Sequence, residues 1–178
     1  MRRANCTFLD TRRRRAFTAL EALTAAAILA ILTAATSGAL VAGRAQSQLA
    51  RDTLSASFLA QAMMDEVMRL PFNDPNGYTT MGPDPPDTSR GLYNNIDDYS
   101  GYTDGNANWA GTGATSTMSD FAGNAYPASY QEFQRTVTMT AISSSPTGWG
   151  RTLNGLLVTV AVSKNGTTLI QLQRIAWQ

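Results

Sequence analysis

From Ala16 to Gly43 the chain carries one charged side chain, Glu21. No other feature of the 178 residues narrows the fold as much. Leu20, Leu23, Ile28, Leu29, Ile31, Leu32, Leu40 and Val41 stand there in an alanine-rich background. A helix needs roughly 20 such residues to cross a bilayer, so the stretch predicts a transmembrane helix over 17–43. Arg12 to Arg15 precede it directly. A cluster of arginines at one end of a span keeps that end in the cytoplasm, which places the rest of the chain outside.

The helical pattern continues past the apolar stretch. Residues 44–70 contain no Gly or Pro before Pro71, and Leu49, Thr53, Ala56, Ala60, Met63, Val67 and Leu70 recur three or four residues apart. That spacing marks one face of a helix, with Gln46, Arg51, Asp52, Gln61, Asp65 and Glu66 on the polar side. One helix over 17–70 is expected, with Gly38 and Gly43 as soft points. Met63, Met64 and Met68 read as core packing, with a Met-rich binding surface as the alternative.

Residues 71–129 change character. Seven of the helix-breaking positions are Pro71, Pro75, Gly77, Gly82, Pro83, Pro85 and Pro86, and a long loop region with one or two short strands is expected. In residues 130–178, Phe133, Arg135, Val137 and Met139 alternate with Gln134, Thr136, Thr138 and Thr140, the period of a strand. Residues 153–163 and 168–177 form a hairpin around Asn165-Gly166. A two-residue loop would pair Val160 with Gln171 and mix the faces. A three-residue loop pairs Val160 with Ile170 and Val158 with Leu172, and is preferred because one face becomes apolar. The expected fold class is α+β, with a long N-terminal helix on a small C-terminal antiparallel sheet.

Composition narrows the function. There is no histidine, which removes Ser-His-Asp and Cys-His chemistry and imidazole metal sites. Cys6, the only cysteine, lies in the basic front segment. Six of the 14 basic residues precede Phe17, and from Phe17 onward 8 basic residues face 12 acidic ones, a net of −4. The front therefore reads as an address, and the remainder offers no attraction for nucleic acid. Residues 44–178 show no nucleophile–base pair, metal cluster or phosphate loop, so no enzymatic activity is expected. The carboxylate pairs Asp65/Glu66 and Asp97/Asp98 remain the opening for the alternative, an exported or membrane-anchored enzyme or binding domain.

The informative string is Arg12-Arg13-Arg14-Arg15-Ala16-Phe17-Thr18-Ala19-Leu20-Glu21. A carboxylate inside a span costs several kcal/mol unless it is paired. A cut before Phe17 would create an α-amine four residues upstream of Glu21, and the two charges would neutralise each other. Here the sequence resembles the type IV prepilin and pseudopilin superfamily, in Ala16, Phe17, Thr18, Leu20, Glu21 and the apolar run Ala22–Val41. Ala16 stands where the family usually has Gly. The resemblance implies that residues 1–16 are a cleaved leader, that a prepilin peptidase cuts between Ala16 and Phe17 and methylates the Phe17 amine, and that Glu21 guides filament assembly. It implies partners as well: other pilin or pseudopilin subunits, an inner-membrane platform and an ATPase, at a bacterial inner membrane. The stretch Leu59–Glu66 with the final hairpin looks like the minor pseudopilins of type II secretion systems.

An ordinary signal sequence is the rival for residues 12–42, with Ser37-Gly38-Ala39 as a cleavage site. Glu21 at the start of the apolar run, directly behind Phe17-Thr18, speaks against it. No cofactor is expected apart from calcium, for which Asp97, Asp98, Asp104 and Asn106 are the candidate ligands on a Gly-rich loop, with Asp74, Asp84 and Asp87 nearby in sequence. Some major pseudopilins bind calcium in a loop of this kind. The alternative is a solvated acidic loop with Asx turns. Tyr93, Tyr99, Tyr102 and Trp109 read as cover for the sheet or helix, or as a contact surface.

Overall fold

The structure, a computed structural model, describes residues 18–85, 87, 89–106, 117–148 and 150–178. It is α+β: one long helix, α1 (Ala19–Val67), and a four-stranded antiparallel sheet of β1 (Thr103–Gly105), β2 (Phe133–Ser144), β3 (Leu153–Lys164) and β4 (Thr167–Trp177), in the order β1-β2-β3-β4. The chain divides into two units, the residues up to Ser47 and Gln48–Gln178. Everything that builds the core lies in the second.

Thr18 starts α1. Its hydroxyl accepts a hydrogen bond from the Glu21 N–H at 3.3 Å, and its carbonyl accepts one from the Ala22 N–H at 3.1 Å. This satisfies donors that a helix N-terminus otherwise leaves orphaned. Alanine, the best helix former, then sustains the helix, and Gly38 and Gly43 lie inside it without a break. The hydroxyls of the apolar stretch are absorbed by the helix itself: Thr33 donates to the Leu29 carbonyl at 2.7 Å and Thr36 to the Leu32 carbonyl at 2.9 Å. Such bonds matter where no water is present to replace them. α1 ends at Val67, three residues before the expected Leu70. There the N–H groups of Arg69 and Leu70 turn to the carbonyls three residues back, at 3.2 Å each. Pro71, which has no N–H and disfavours helix in the residue before it, follows directly.

The stripe expected along 44–70 buries only from Ala56: Ala56, Leu59, Ala60, Met63, Met64 and Val67 are enclosed, whereas Leu49 stays 57% exposed. They share one core with Phe133, Val137 and Met139 of β2 and Leu156, Val158, Val160 and Val162 of β3, and Met68, Leu169, Ile170 and Leu172 pack against it. The methionines thus serve as core. The alternation read in β2 holds, with Phe133, Arg135, Val137 and Met139 buried and Thr138 and Thr140 exposed. The strand begins at Phe133 rather than Tyr130, because Ala128–Tyr130 form a 3-10 turn.

The hairpin register corrects the expectation. Lys164 pairs with Thr167, so the loop has two residues, and Asn165 (φ 52) and Gly166 (φ 75) both take the left-handed conformation of a type I′ turn. The register then shifts between Val162 and Ser163, pairing Val162 with Ile170 and Val160 with Leu172. Leu169 is the extra residue of a bulge. The tight turn and the one-sided apolar face, which seemed to exclude each other, are reconciled by that one residue. At the other edge, β1 ends on Gly105 (φ +94), where an added Cβ would stand 2.1 Å from the Phe133 carbonyl oxygen. Only glycine fits there.

Leu59→Ala is expected to lower the stability of the folded unit by about 2–5 kcal/mol, because Leu59 is fully enclosed. Leu49→Ala should stay within about 0.5 kcal/mol. Equilibrium unfolding of the full chain in detergent checks both.

Candidate functional site

Two regions carry the residues singled out by sequence. The first is the start of α1. Ala16 and Phe17 lie outside the described residues, as does Trp109. Glu21 sits in the first turn of α1, where the positive end of the helix dipole favours a carboxylate. Thr18-Ala19-Leu20-Glu21 is a capping-box pattern whose hydroxyl half is formed, and that pattern was readable in the sequence. Beyond Glu21, an 18-residue stretch of α1 has a mean hydropathy of 2.0 with none of it buried within the chain, making α1 the one described helix long and apolar enough to cross a membrane. Its large apolar side chains, from Leu20 to Val41, are 56–72% exposed. A monomer in water would leave this whole surface wet, far beyond the apolar patches that soluble monomers show.

The second region is the loop that covers the sheet and its polar interior. Arg135 is fully buried in the middle of the apolar face of β2, and β1 places Asp104 opposite it in the sheet. The Arg135 guanidinium donates to both Asp104 carboxylate oxygens, from Nε at 2.8 Å and from Nη2, and to the Ser119 carbonyl at 2.9 Å. A bidentate pair of this kind is the strong form of the interaction. Arg90 extends the network: it forks onto Glu66 of α1, donates to the Ser119 carbonyl at 3.0 Å, and stands 3.6 Å from Asp104. Tyr99 donates its hydroxyl to Glu66 at 2.5 Å, and Tyr102 donates to Asp104 at 3.2 Å. Burial raises the pKa of both phenols, with the Glu66 carboxylate adding to the effect at Tyr99, and burial with the Asp104 charge pushes Tyr102 up to about 12. Both therefore remain neutral donors at physiological pH. Tyr93, Tyr99 and Tyr102 stack edge to face with ring centroids 4.9–6.2 Å apart, covering this network.

This arrangement separates the four expected calcium ligands. Asp104 is taken up by two arginines. Asn106 follows β1, its N–H donating to the Phe133 carbonyl at 2.9 Å. Asp97 and Asp98 lie instead on a 3-10 turn, Asp97–Tyr99, within electrostatic reach of Asp74, Asp84 and Asp87. Burial, with the charges of Asp74 and Asp98, raises the pKa of Asp84 and Asp87. Burial followed by the Asp98 charge raises Asp97 to about 6. Among the described residues, no group of three or more His, Cys, Asp or Glu side chains is placed so that it could hold a metal ion. Sequence reading missed the ion pair of Arg135 with Asp104. The available signal was an arginine at an inward-facing position of an otherwise apolar alternation, which demands a buried acid.

Arg135→Ala is expected to destabilise the fold by about 3–5 kcal/mol, since it leaves Asp104 buried beside one remaining, more distant cation. A thermal or urea unfolding series of the variant against the parent chain measures it.

In comparisons with known proteins, no family model, no curated protein and no solved structure matches this chain.

Proposed function

We propose that this chain is a structural subunit of a type IV pilus-like or type II secretion pseudopilus filament, cut between Ala16 and Phe17 and assembled through residues 17–43. The observation that carries this reading is an apolar helix surface with no cover among the described residues, interrupted only by a carboxylate at its first turn. Lipid satisfies the apolar side chains of such a surface, but not the carboxylate: an acid at mid-span costs roughly 2.5–3.5 kcal/mol on insertion scales. In the proposed filament, many copies of the helix pack together, and each Glu21 meets a Phe17 α-amine, its own or a neighbour's. The subunit waits in the bacterial inner membrane as a single-pass protein, with residues 48–178 outside the cytoplasm. A prepilin peptidase, an inner-membrane platform, an assembly ATPase and other pilin-like subunits are its partners. Its role is structural rather than enzymatic, and nucleic acid is not among its ligands.

Intact mass and N-terminal peptide mapping of protein recovered from membranes test the processing step. A mature chain beginning at N-methylated Phe17 is expected. An uncut Met1, or a start near Leu40, would overturn the proposal in favour of a plain anchor or a secretory signal on a different kind of protein.

Assembly is tested at Glu21. Glu21→Ala should leave membrane insertion intact and abolish filament incorporation, and Glu21→Gln should do the same because it keeps the shape and loses the charge. Thr18→Ala, which removes the cap and costs about 1 kcal/mol of helix stability, should still assemble. Cross-linking between subunits reads all three, and normal incorporation of Glu21→Gln would rule out the charge pairing.

A further inference from the structure

Between residues 74 and 98, three aspartates each have one carboxylate oxygen fixed by donors and one left without any. Asp74 Oδ1 accepts the N–H groups of Asn76 and, at 3.1 Å, Gly77. Asp84 Oδ1 accepts the Thr80 hydroxyl at 3.0 Å. Asp98 Oδ2 accepts the N–H groups of Asn94 at 2.8 Å and Asn95 at 3.2 Å. The other oxygens, Asp74 Oδ2, Asp84 Oδ2 and Asp98 Oδ1, are buried without a hydrogen-bond partner among the described residues. Asp84 and Asp98 are themselves only 3% and 0% exposed. Asp74 and Asp84 stand close enough for their carboxyl groups to hydrogen-bond to each other, and the Asp98 charge reaches Asp84 as well.

Two ionised carboxylates cannot hydrogen-bond to each other, because each can only accept; a single proton between them supplies the donor. The groups around the pair offer no other neutralising charge. Thr80, Asn94 and Asn95 are neutral, and the charges that act most strongly on Asp84, Asp87 and Asp97 are the carboxylates of Asp74, Asp84 and Asp98. Arg90, the cation that reaches Tyr93 beside them, is forked onto Glu66. We propose that Asp74 and Asp84 share one proton, and that this proton clasps the loop of residues 74–98 shut in mildly acidic surroundings and lets it loosen toward neutral pH. Loss of the proton leaves adjacent like charges enclosed with idle acceptors, a costly state in a buried place. Burial is the leading cause that raises the pKa of Asp84, Asp87 and Asp97, the last to about 6. The folded chain therefore binds more protons than the unfolded chain between the ordinary carboxylate range and about pH 6, and the stability of the loop falls as pH rises through that window. The chain has no histidine, so no side chain with an ordinary pKa competes for this role between pH 5 and 7. The turn that carries Asp98 also carries Tyr99, whose hydroxyl meets Glu66 of α1, and the clasp thereby bears on the end of the helix. It is built wholly from residues 74–98 and does not depend on the filament reading.

The test compares the full-length protein at about pH 5 and pH 7 in non-ionic detergent with EGTA throughout, by amide hydrogen exchange and by thermal unfolding. After correction for intrinsic exchange rates, protection of the amides in residues 74–98 should be about tenfold or more higher at pH 5, since one linked proton changes an equilibrium up to tenfold per pH unit. The unfolding midpoint should rise by about 2–6 °C on the same acidification. Asp84→Asn keeps an oxygen for Thr80 and replaces the shared proton by a permanent N–H donor to Asp74. It should show at pH 7 the protection that the parent chain shows at pH 5, and lose most of the pH response. Asp74→Asn makes the same exchange from the other side and carries the comparison if the first variant does not fold. Loop protection in the parent chain that is unchanged or lower at pH 5 overturns the clasp, as does a full pH response in both variants. A response that survives both variants and vanishes in Asp97→Asn would place the proton on Asp97 alone and overturn the sharing.

Discussion

An arginine buried in the middle of an apolar sheet face sets the terms for everything above that face. Arg135 cannot be neutralised from its own strand, and the chain brings Asp104 across on the short strand β1, Ser119 from a later loop, and the ring of Tyr126 to 5.6 Å beneath the guanidinium. Asp104 in turn draws Arg90, and Arg90 reaches Glu66 on α1. One buried cation thereby ties sheet, loop and helix into a single polar chain across the core. A slip of the helix along the sheet would part Glu66 from Arg90 and leave charges buried and unpaired, a penalty that apolar contacts do not impose.

What was legible in the sequence follows from how local each signal is. The apolar run, the helix stripe and the alternation in β2 are periodic patterns, and the structure follows them to within a few residues. The helix ends at Val67 because Pro71 follows, an effect local enough to be legible in the sequence. Alternation alone favours a three-residue hairpin loop, because the bulge at Leu169 leaves no periodic mark in the sequence, and a single inserted residue changes every pairing beyond it. β1 and the Asp104–Arg135 pair were invisible for a different reason: they join positions 31 residues apart, and no pattern in either segment names the other. The same blindness placed Asp104 among the calcium candidates. Read alone, it is one more aspartate in an acidic loop.

The two glutamates of α1 show how one helix carries two kinds of chemistry. Glu66 is buried, and its cost is met inside the chain by Arg90 and Tyr99. Glu21 lies 45 residues earlier on the same helix, at its exposed first turn, among side chains that the rest of the fold never covers. The helix dipole eases its charge at the end of the helix, but it supplies no counter-ion once lipid or other helices surround it. A carboxylate that the fold leaves unmatched in an apolar surface is a demand placed on whatever covers that surface. On the filament reading, the demand is answered by an α-amine that exists only after the leader is cut. Processing would then license assembly through charge: on that reading the uncut chain would lack the amine that neutralises a buried Glu21, and immature subunits would stay out of the polymer.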